Sequence, residues 1–297
     1  MTGTAHRMLP PPDAARAGDW ILYPVAFLVG LIVGSFLNVC IHRLPREESV
    51  VWPGSRCPRC AAPIAWYDNV PLLSWLWLRA RCRSCGATIS GRYPLVEVAT
   101  GILAVLSLAR FGPTPWGVVA FAFTAALLLV SVVDLDHLII PDAVSLPGIL
   151  VGLAAAALIP GGPSLWDALV GVCLGGGLLW MAAAVYERAT GVEGLGLGDA
   201  KLLAMIGAFL GWQAIPAVLV VASLAGTFAG LAVLLSRHDR EAARRVRRVL
   251  GPTAVAVHWR RAARRTAIPF GPFLALGAMI ALFVPGMTLP WTWVRPG

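Results

Sequence analysis

Charged side chains are scarce in this chain: they make up 13% of its 297 residues, with 15 acidic and 24 basic positions. Hydrophobic residues supply 58%, and the mean hydropathy is +0.75. A composition this poor in charge excludes an ordinary water-soluble protein and indicates an integral membrane protein. Ionisable groups at membrane depth are costly, so the few acids found there are candidates for function.

The first residues lack the layout of a cleavable signal peptide, and we expect none. Residues 1–19 contain prolines and charges, and no small-residue cleavage site accompanies the first apolar run, which is therefore expected to remain as a helix. Apolar stretches that can approach the roughly 20 residues a bilayer requires recur along the chain. They cover residues 21–41, 95–108, 116–133, 143–159, 169–185, 200–210, 214–235 and 268–283. The sequence thus predicts an all-α polytopic membrane protein with about eight transmembrane helices.

Arginines orient the chain. Residues 43–92 carry eight arginines against three acids, and residues 237–265 contain four arginine pairs. The positive-inside rule places both segments in the cytoplasm and, by counting spans, both termini outside. The net charge of +9 then reflects orientation and attraction to anionic lipid. We expect the bilayer as a partner and no nucleic acid; the oligomeric state stays open.

This topology predicts a division of the chain. Residues 1–42 would form the outer N-terminus and first helix, and residues 43–93 a cytoplasmic four-cysteine domain. Residues 94–286 would form the transmembrane core, followed by an outer tail at 287–297. The core carries a basic cytoplasmic insertion at 237–265, predicted either as an amphipathic helix on the membrane surface or as a solvated loop.

Four cysteines form two C-x-x-C pairs in the domain assigned to the cytoplasm: Cys57, Cys60, Cys82 and Cys85. Thiols stay reduced there, so paired knuckles at this spacing favour a tetrahedral zinc site over disulfides. Neighbouring arginines would help to keep the thiolates ionised. Packing without metal and a redox role are the alternatives. The fold expectation therefore includes a zinc-ribbon-like loop after the first helix.

Two aspartates mark the edges of apolar runs. Asp134 ends one such run, and Asp199 closes a Gly-x-Gly-Asp segment just before another. The predicted topology puts both carboxylates at the same depth on the cytoplasmic side. Two carboxylates that meet can perform acid–base hydrolysis, in which one activates water and the other donates a proton.

Six segments in order resemble the prepilin leader peptidases, the membrane aspartic proteases of type IV pili and type II secretion. They are GSFLNVCIHRLP at 34–45, the paired C-x-x-C motifs, GRYPLVE at 91–97, the segment from Asp134 to Asp142, GLGD at 196–199 and PFGPFLA at 269–275. The resemblance implies a multi-pass inner-membrane enzyme that cuts prepilins or pseudopilins after a glycine at the cytoplasmic boundary. For members with the cysteine loop, it also implies methylation of the new N-terminus with S-adenosylmethionine.

The resemblance also selects the catalytic acids. In this family the first catalytic Asp lies eight residues before the Asp of the Pro-Asp step, which selects Asp134, with Asp136 as the alternative. Asp199 is the second, expected to stay ionised at a helix start. Asp142 is expected to cap a helix. Lys201 is a candidate for a direct role.

Other expectations concern the substrate. Glycines within residues 191–198 would admit an extended peptide, and Glu47, Glu48 and Asp68 are candidates for docking a basic leader. Two alternative functions stay open. One is a peptidase without methyl transfer, whose zinc loop only positions substrate. The other is a non-enzymatic transporter or assembly scaffold that uses the Asp pair as a proton relay. No glycine motif for S-adenosylmethionine is recognisable, so methyl transfer is an expectation from resemblance.

Overall fold

A computed structural model describes residues 19–190, 196–236 and 269–284. Within these ranges all of the longer elements are helices, and the extended structure is limited to two isolated bridges, which confirms the all-α prediction. The α-helices are α1 (Leu22–Arg43), α2 (Leu73–Trp77), α3 (Arg92–Phe111), α4 (Pro115–His137), α5 (Asp142–Leu158), α6 (Leu165–Thr190), α7 (Leu197–Leu210), α8 (Ile215–Ser236) and α9 (Gly271–Phe283). The basic insertion at 237–265, the tail at 287–297 and residues 191–195 of the glycine-rich loop lie outside the described residues.

Five apolar stretches are long enough to cross a membrane by length and composition: those of α1, α3, α4, α6 and α8. Helices α5 and α9 are apolar but shorter. The membrane class predicted from composition is therefore confirmed, whereas the count of eight spans stays a prediction. Helix limits follow local chemistry. For example, the Thr114 hydroxyl caps α4 by accepting a 3.1 Å hydrogen bond from the Gly117 N–H, with Pro115 in the first turn.

The described chain forms two compact units. The first contains α1 up to Asn38 together with residues 55–112, so the cysteine domain clusters with α1 and α3. Glycines allow these two helices to touch backbone to backbone. A Cβ on Gly30 would lie 2.5 Å from the Gly101 Cα, and one on Gly34 would lie 2.6 Å from the Glu97 Cα. Close approach of this kind is typical of helix contacts inside membranes.

The second unit contains residues 39–54 and the helices α4 to α9. At its centre lies α7, whose side chains at Leu202, Leu203, Met205 and Ile206 are fully buried. Helix α6 packs along α7 through Gly171 and Gly207, where an added Cβ would lie within 2.4 Å of the opposite backbone. Because protein rather than lipid surrounds α7, a helix of 14 residues suffices here. It begins at the site described next.

Candidate active site and metal centre

Asp134 lies in the last turn of α4 and is only 5% exposed. Its Oδ2 accepts a 2.9 Å hydrogen bond from the backbone N–H of Gly271, the first residue of α9. The N–H groups of the first helical turn have no partner within the helix and carry the positive end of the helix dipole. The start of α9 therefore orients this carboxylate and favours negative charge on it.

Asp199 lies in the first turn of α7, which begins after Gly196. Its carboxylate points back along the helix start, since a Cβ on Gly196 would lie 3.8 Å from Oδ2. The carboxylates of Asp199 and Asp134 are close enough for their charges to interact. The structure thus brings together the two acids that the sequence singled out.

Ile140, in the connection between α4 and α5, packs against Gly198, which precedes Asp199, and against Gly271, which donates to Asp134. A Cβ on Gly198 would lie 3.1 Å from the Ile140 Cβ, and one on Gly271 would lie 3.4 Å from its Cδ1 and 2.7 Å from Oδ2 of Asp134. These glycines therefore leave the room that lets three chain segments meet around the acids. The sequence predicts that the glycines before Asp199 admit the substrate peptide, and it assigns no individual role to Gly271 or Ile140. The Pro-Phe-Gly-Pro segment at 269–272 is the sequence feature that could have indicated a special role for Gly271.

The remaining acids of this region have other positions. Asp142 forms an ion pair with Lys201, whose Nζ lies 2.7 and 2.8 Å from its two carboxylate oxygens. The N-cap of α5 is Pro141, so Asp142 does not cap this helix as the sequence had suggested. Asp136 is exposed, in contrast to Asp134. Burial therefore favours Asp134 over Asp136 as the first acid of the pair.

Cys57, Cys60, Cys82 and Cys85 converge as the spacing predicted: their four Sγ atoms all lie within 4.8 Å of one another. The Sγ atoms of Cys57 and Cys85 are 3.9 Å apart. Four thiolates around a zinc ion at about 2.3 Å stand about 3.8 Å from each other, so the cluster fits a tetrahedral metal. All four are free cysteines.

The two knuckles share one backbone conformation. Cys57 donates its N–H to the Ala62 carbonyl at 2.9 Å, and Cys82 donates to the Ala87 carbonyl at 2.8 Å. An antiparallel bridge flanks each knuckle, between Arg56 and Pro63 and between Arg81 and Thr88. Both metal half-sites are therefore built by the same local fold.

Backbone N–H groups favour the thiolate form of Cys57 in the first knuckle. Hydrogen bonds from the N–H groups of Cys60 and Arg59 lower the pKa of the Cys57 thiol to about 6. The arginine side chains that the sequence suggested for this task do not supply the shift. Arg83 instead binds Asp68 with two hydrogen bonds, of 2.6 and 2.7 Å, which lower the pKa of that carboxyl. Asp68 is therefore already engaged within the cysteine domain.

Comparison with known proteins finds family matches that contain the cysteine cluster and both aspartates. The Bacterial Peptidase A24 N-terminal domain matches residues 28–111, and the type IV leader peptidase family matches residues 121–231. A prepilin leader peptidase/N-methyltransferase of Aeromonas hydrophila is 39% identical over 295 residues, which cover 91% of this chain and 93% of the relative. The chain belongs to the type IV leader peptidase family. The first match contains the four cysteines, and the second contains Asp134 and Asp199.

Further relatives are also prepilin leader peptidase/N-methyltransferases. The protein of Myxococcus xanthus is 48% identical over 210 residues, covering 71% of this chain and 62% of the relative. That of Pseudomonas aeruginosa is 37% identical over 290 residues, covering 88% and 91%. No solved structure matches the chain. Family and apolar helices together indicate a multi-pass protein of the inner membrane. Gly271 lies beyond both family matches although it contacts Asp134.

Proposed function

We propose that this protein is a membrane aspartic endopeptidase that removes the leader of type IV prepilins or pseudopilins and N-methylates the new N-terminus. The observation that carries the proposal is the meeting of Asp134 and Asp199 in a member of the leader peptidase family. The relatives are named for both activities, leader peptidase and N-methyltransferase, which supports the proposal.

Peptide hydrolysis requires a base that takes a proton from water and an acid that protonates the departing amine. Two neighbouring carboxyl groups that hold one proton between them provide both. The Gly271 N–H stabilises the ionised form of Asp134, which favours Asp134 as the base and Asp199 as the acid. This assignment is the opposite of the one expected from the sequence, in which Asp199 stays ionised because it lies at a helix start. Water activated by Asp134 attacks the scissile carbonyl carbon, and the proton on Asp199 passes to the amine.

Sidedness follows from charge. The eight arginines within residues 43–92 support a cytoplasmic position for the cysteine domain. The C-terminal end of α4 and the start of α7, which carry the two acids, then lie at the cytoplasmic boundary. A prepilin can keep its apolar helix in lipid while its leader is cut at that depth. An unwound peptide is tolerated there only where protein or water satisfies its polar groups.

The cysteine domain is proposed to hold one structural zinc ion through Cys57, Cys60, Cys82 and Cys85. A metal would supply much of the stability of so small a domain. Methyl transfer requires S-adenosylmethionine, which supplies the methyl group. The intact cysteine domain and the relatives' names support this second activity.

Mass spectrometry of a prepilin incubated with the purified enzyme tests both activities at once. Incubation without S-adenosylmethionine should give the leaderless product, and incubation with it should add one methyl mass. Cleavage without the methyl shift would reduce the function to a peptidase whose zinc loop positions substrate. No cleavage by the wild type, with the Asp134→Asn, Asp199→Asn double variant as blank, would favour a transporter or scaffold.

A further inference from the structure

The cysteine domain exposes a cluster of large apolar side chains. Trp66 and Trp77 are each 82% exposed, and Leu73 is 63% exposed. Leu76 and Tyr67 are exposed beside them in the chain. We name these five residues the aromatic face. Exposed apolar surface of this kind is unusual on a domain surrounded by water and marks a contact with lipid or with another protein.

A buried carboxylate ties the aromatic face to a membrane helix. Glu97, in the second turn of α3, is only 8% exposed, and its Oε2 accepts a 2.7 Å hydrogen bond from the Leu72 N–H. The Ser35 hydroxyl of α1 also hydrogen-bonds this carboxylate. Leu72 immediately precedes α2, the helix that carries three residues of the aromatic face.

The link holds Leu72 in a strained conformation. Its φ is 60° and its ψ is −50°, and the Leu73 N–H donates a 2.6 Å hydrogen bond to the Pro71 carbonyl. These features define a classic γ-turn, which is rare because it is strained. The turn points the Leu72 N–H at Glu97. Strain of this kind persists only where the surroundings fix it, so the position of α2 on α3 is strongly determined.

The hydrogen bond to Glu97 fixes how far along α3 the start of α2 lies. Glu97 is the sixth residue of α3, so it lies about 8 Å along the helix axis from Arg92. The start of α2 is therefore level with the second turn of a membrane-spanning helix. On the same stretch of α3, Leu95 is exposed in the way expected of a lipid-facing residue. Apolar side chains are thus exposed both on the aromatic face and on the stretch of α3 to which the start of α2 is hydrogen-bonded.

The chemistry of the face suits the membrane–water interface. Tryptophan and tyrosine concentrate at that depth because their rings are apolar and their edges are polar. Arg79 and Arg81 follow α2 directly and are exposed, so they can reach the phosphates of anionic lipids. We infer that the aromatic face docks into the headgroup region of the cytoplasmic leaflet and holds the four-cysteine domain flat against the membrane. The occupant of the face is lipid.

Site-specific photo-cross-linking of the full chain tests this docking. The photoreactive residue p-benzoylphenylalanine is placed at Trp77 in one variant and at Trp66 in another. Both variants are reconstituted into vesicles of phosphatidylethanolamine and phosphatidylglycerol. The matched control carries the same residue at Ser84, an exposed position of the second cysteine knuckle. Because the readout needs no catalysis, it is independent of the proposed reaction.

Mass spectrometry after illumination should find phospholipid adducts at positions 77 and 66 and none at position 84. Cross-links from 77 and 66 to a second copy of the chain, or to an added prepilin, would overturn the assignment of lipid as the occupant. Equal lipid labelling at all three positions would overturn the specific orientation, and absence of lipid adducts at both test positions would overturn the docking. Zinc content of each variant verifies that its cysteine domain is folded.

Discussion

The backbone N–H of Gly271 donates a 2.9 Å hydrogen bond to Oδ2 of Asp134, although 137 positions separate the two residues. The contact joins the end of α4 to the start of α9 and leaves no room for a side chain at position 271. Asp199, at the start of α7, is near enough for its charge to interact with that of Asp134. Three helix ends from distant parts of the chain therefore form one site.

Neutralising either aspartate should abolish cleavage. Asp134→Asn and Asp199→Asn remove the base or the acid, so we expect kcat/KM for prepilin to fall by roughly three orders of magnitude or more. Asp136→Asn is the matched control, because Asp136 is exposed two residues away and should remain active. Product mass spectrometry measures the rates, and membrane fractionation verifies insertion. Activity in Asp134→Asn together with loss in Asp136→Asn would place the first acid at position 136.

A methyl group at Gly271 should impair the site without removing an acid. In Gly271→Ala the new Cβ would lie 2.7 Å from Oδ2 of Asp134 and must displace it. A misplacement of about 1 Å can cost about 100-fold in rate, so we expect a loss of that order in kcat. Gly177→Ala in α6 is the control, because its Cβ would meet nothing within 4 Å. Equal activity of the two variants would contradict a positioning role for the α9 start.

Removing one cysteine ligand should release the metal. We expect about one zinc per wild-type chain, as for a closed four-thiolate site, and much less in Cys82→Ser. Hydrogen exchange across residues 55–90 should accelerate in that variant, because metal binding and folding of a small domain are coupled. Cys173→Ser, in α6, should keep both the zinc and the protection. Elemental analysis checks the first expectation, and a metal-free wild type that is folded and active would exclude the zinc site.

Basic leader residues are expected to dock on acids that other groups leave available. Glu47 and Glu48 are exposed, whereas Asp68 is held by Arg83. The Glu47→Gln, Glu48→Gln variant should raise KM with kcat unchanged, the pattern of lost uniform binding. A roughly fivefold change corresponds to one exposed charge pair of about 1 kcal/mol. Steady-state kinetics should show no change in KM for Asp68→Asn. If Asp68→Asn alone raises KM, docking lies on the cysteine domain.

Much of the molecule follows from local sequence. Runs of apolar residues predict the helices, because hydropathy and length decide whether a segment can cross a bilayer. The C-x-x-C spacing predicts the cysteine cluster, because two such knuckles provide four thiolates for a tetrahedral ion. Asp134 and Asp199 stand out because acids at the edges of apolar runs are rare. In each case the signal is contained within a short stretch of chain.

Contacts between distant helices were decided only by the tertiary structure. Hydropathy cannot tell that protein encloses α7, because a buried helix and a lipid-exposed helix are equally apolar. It also cannot show that Ile140 packs against Gly198 and Gly271, or that Glu97 holds the γ-turn at Leu72. These arrangements depend on which helix ends meet, and that is set by packing of the whole chain. The sequence by itself singled out the candidate catalytic and metal-binding residues, and the packing decided which groups surround and orient them.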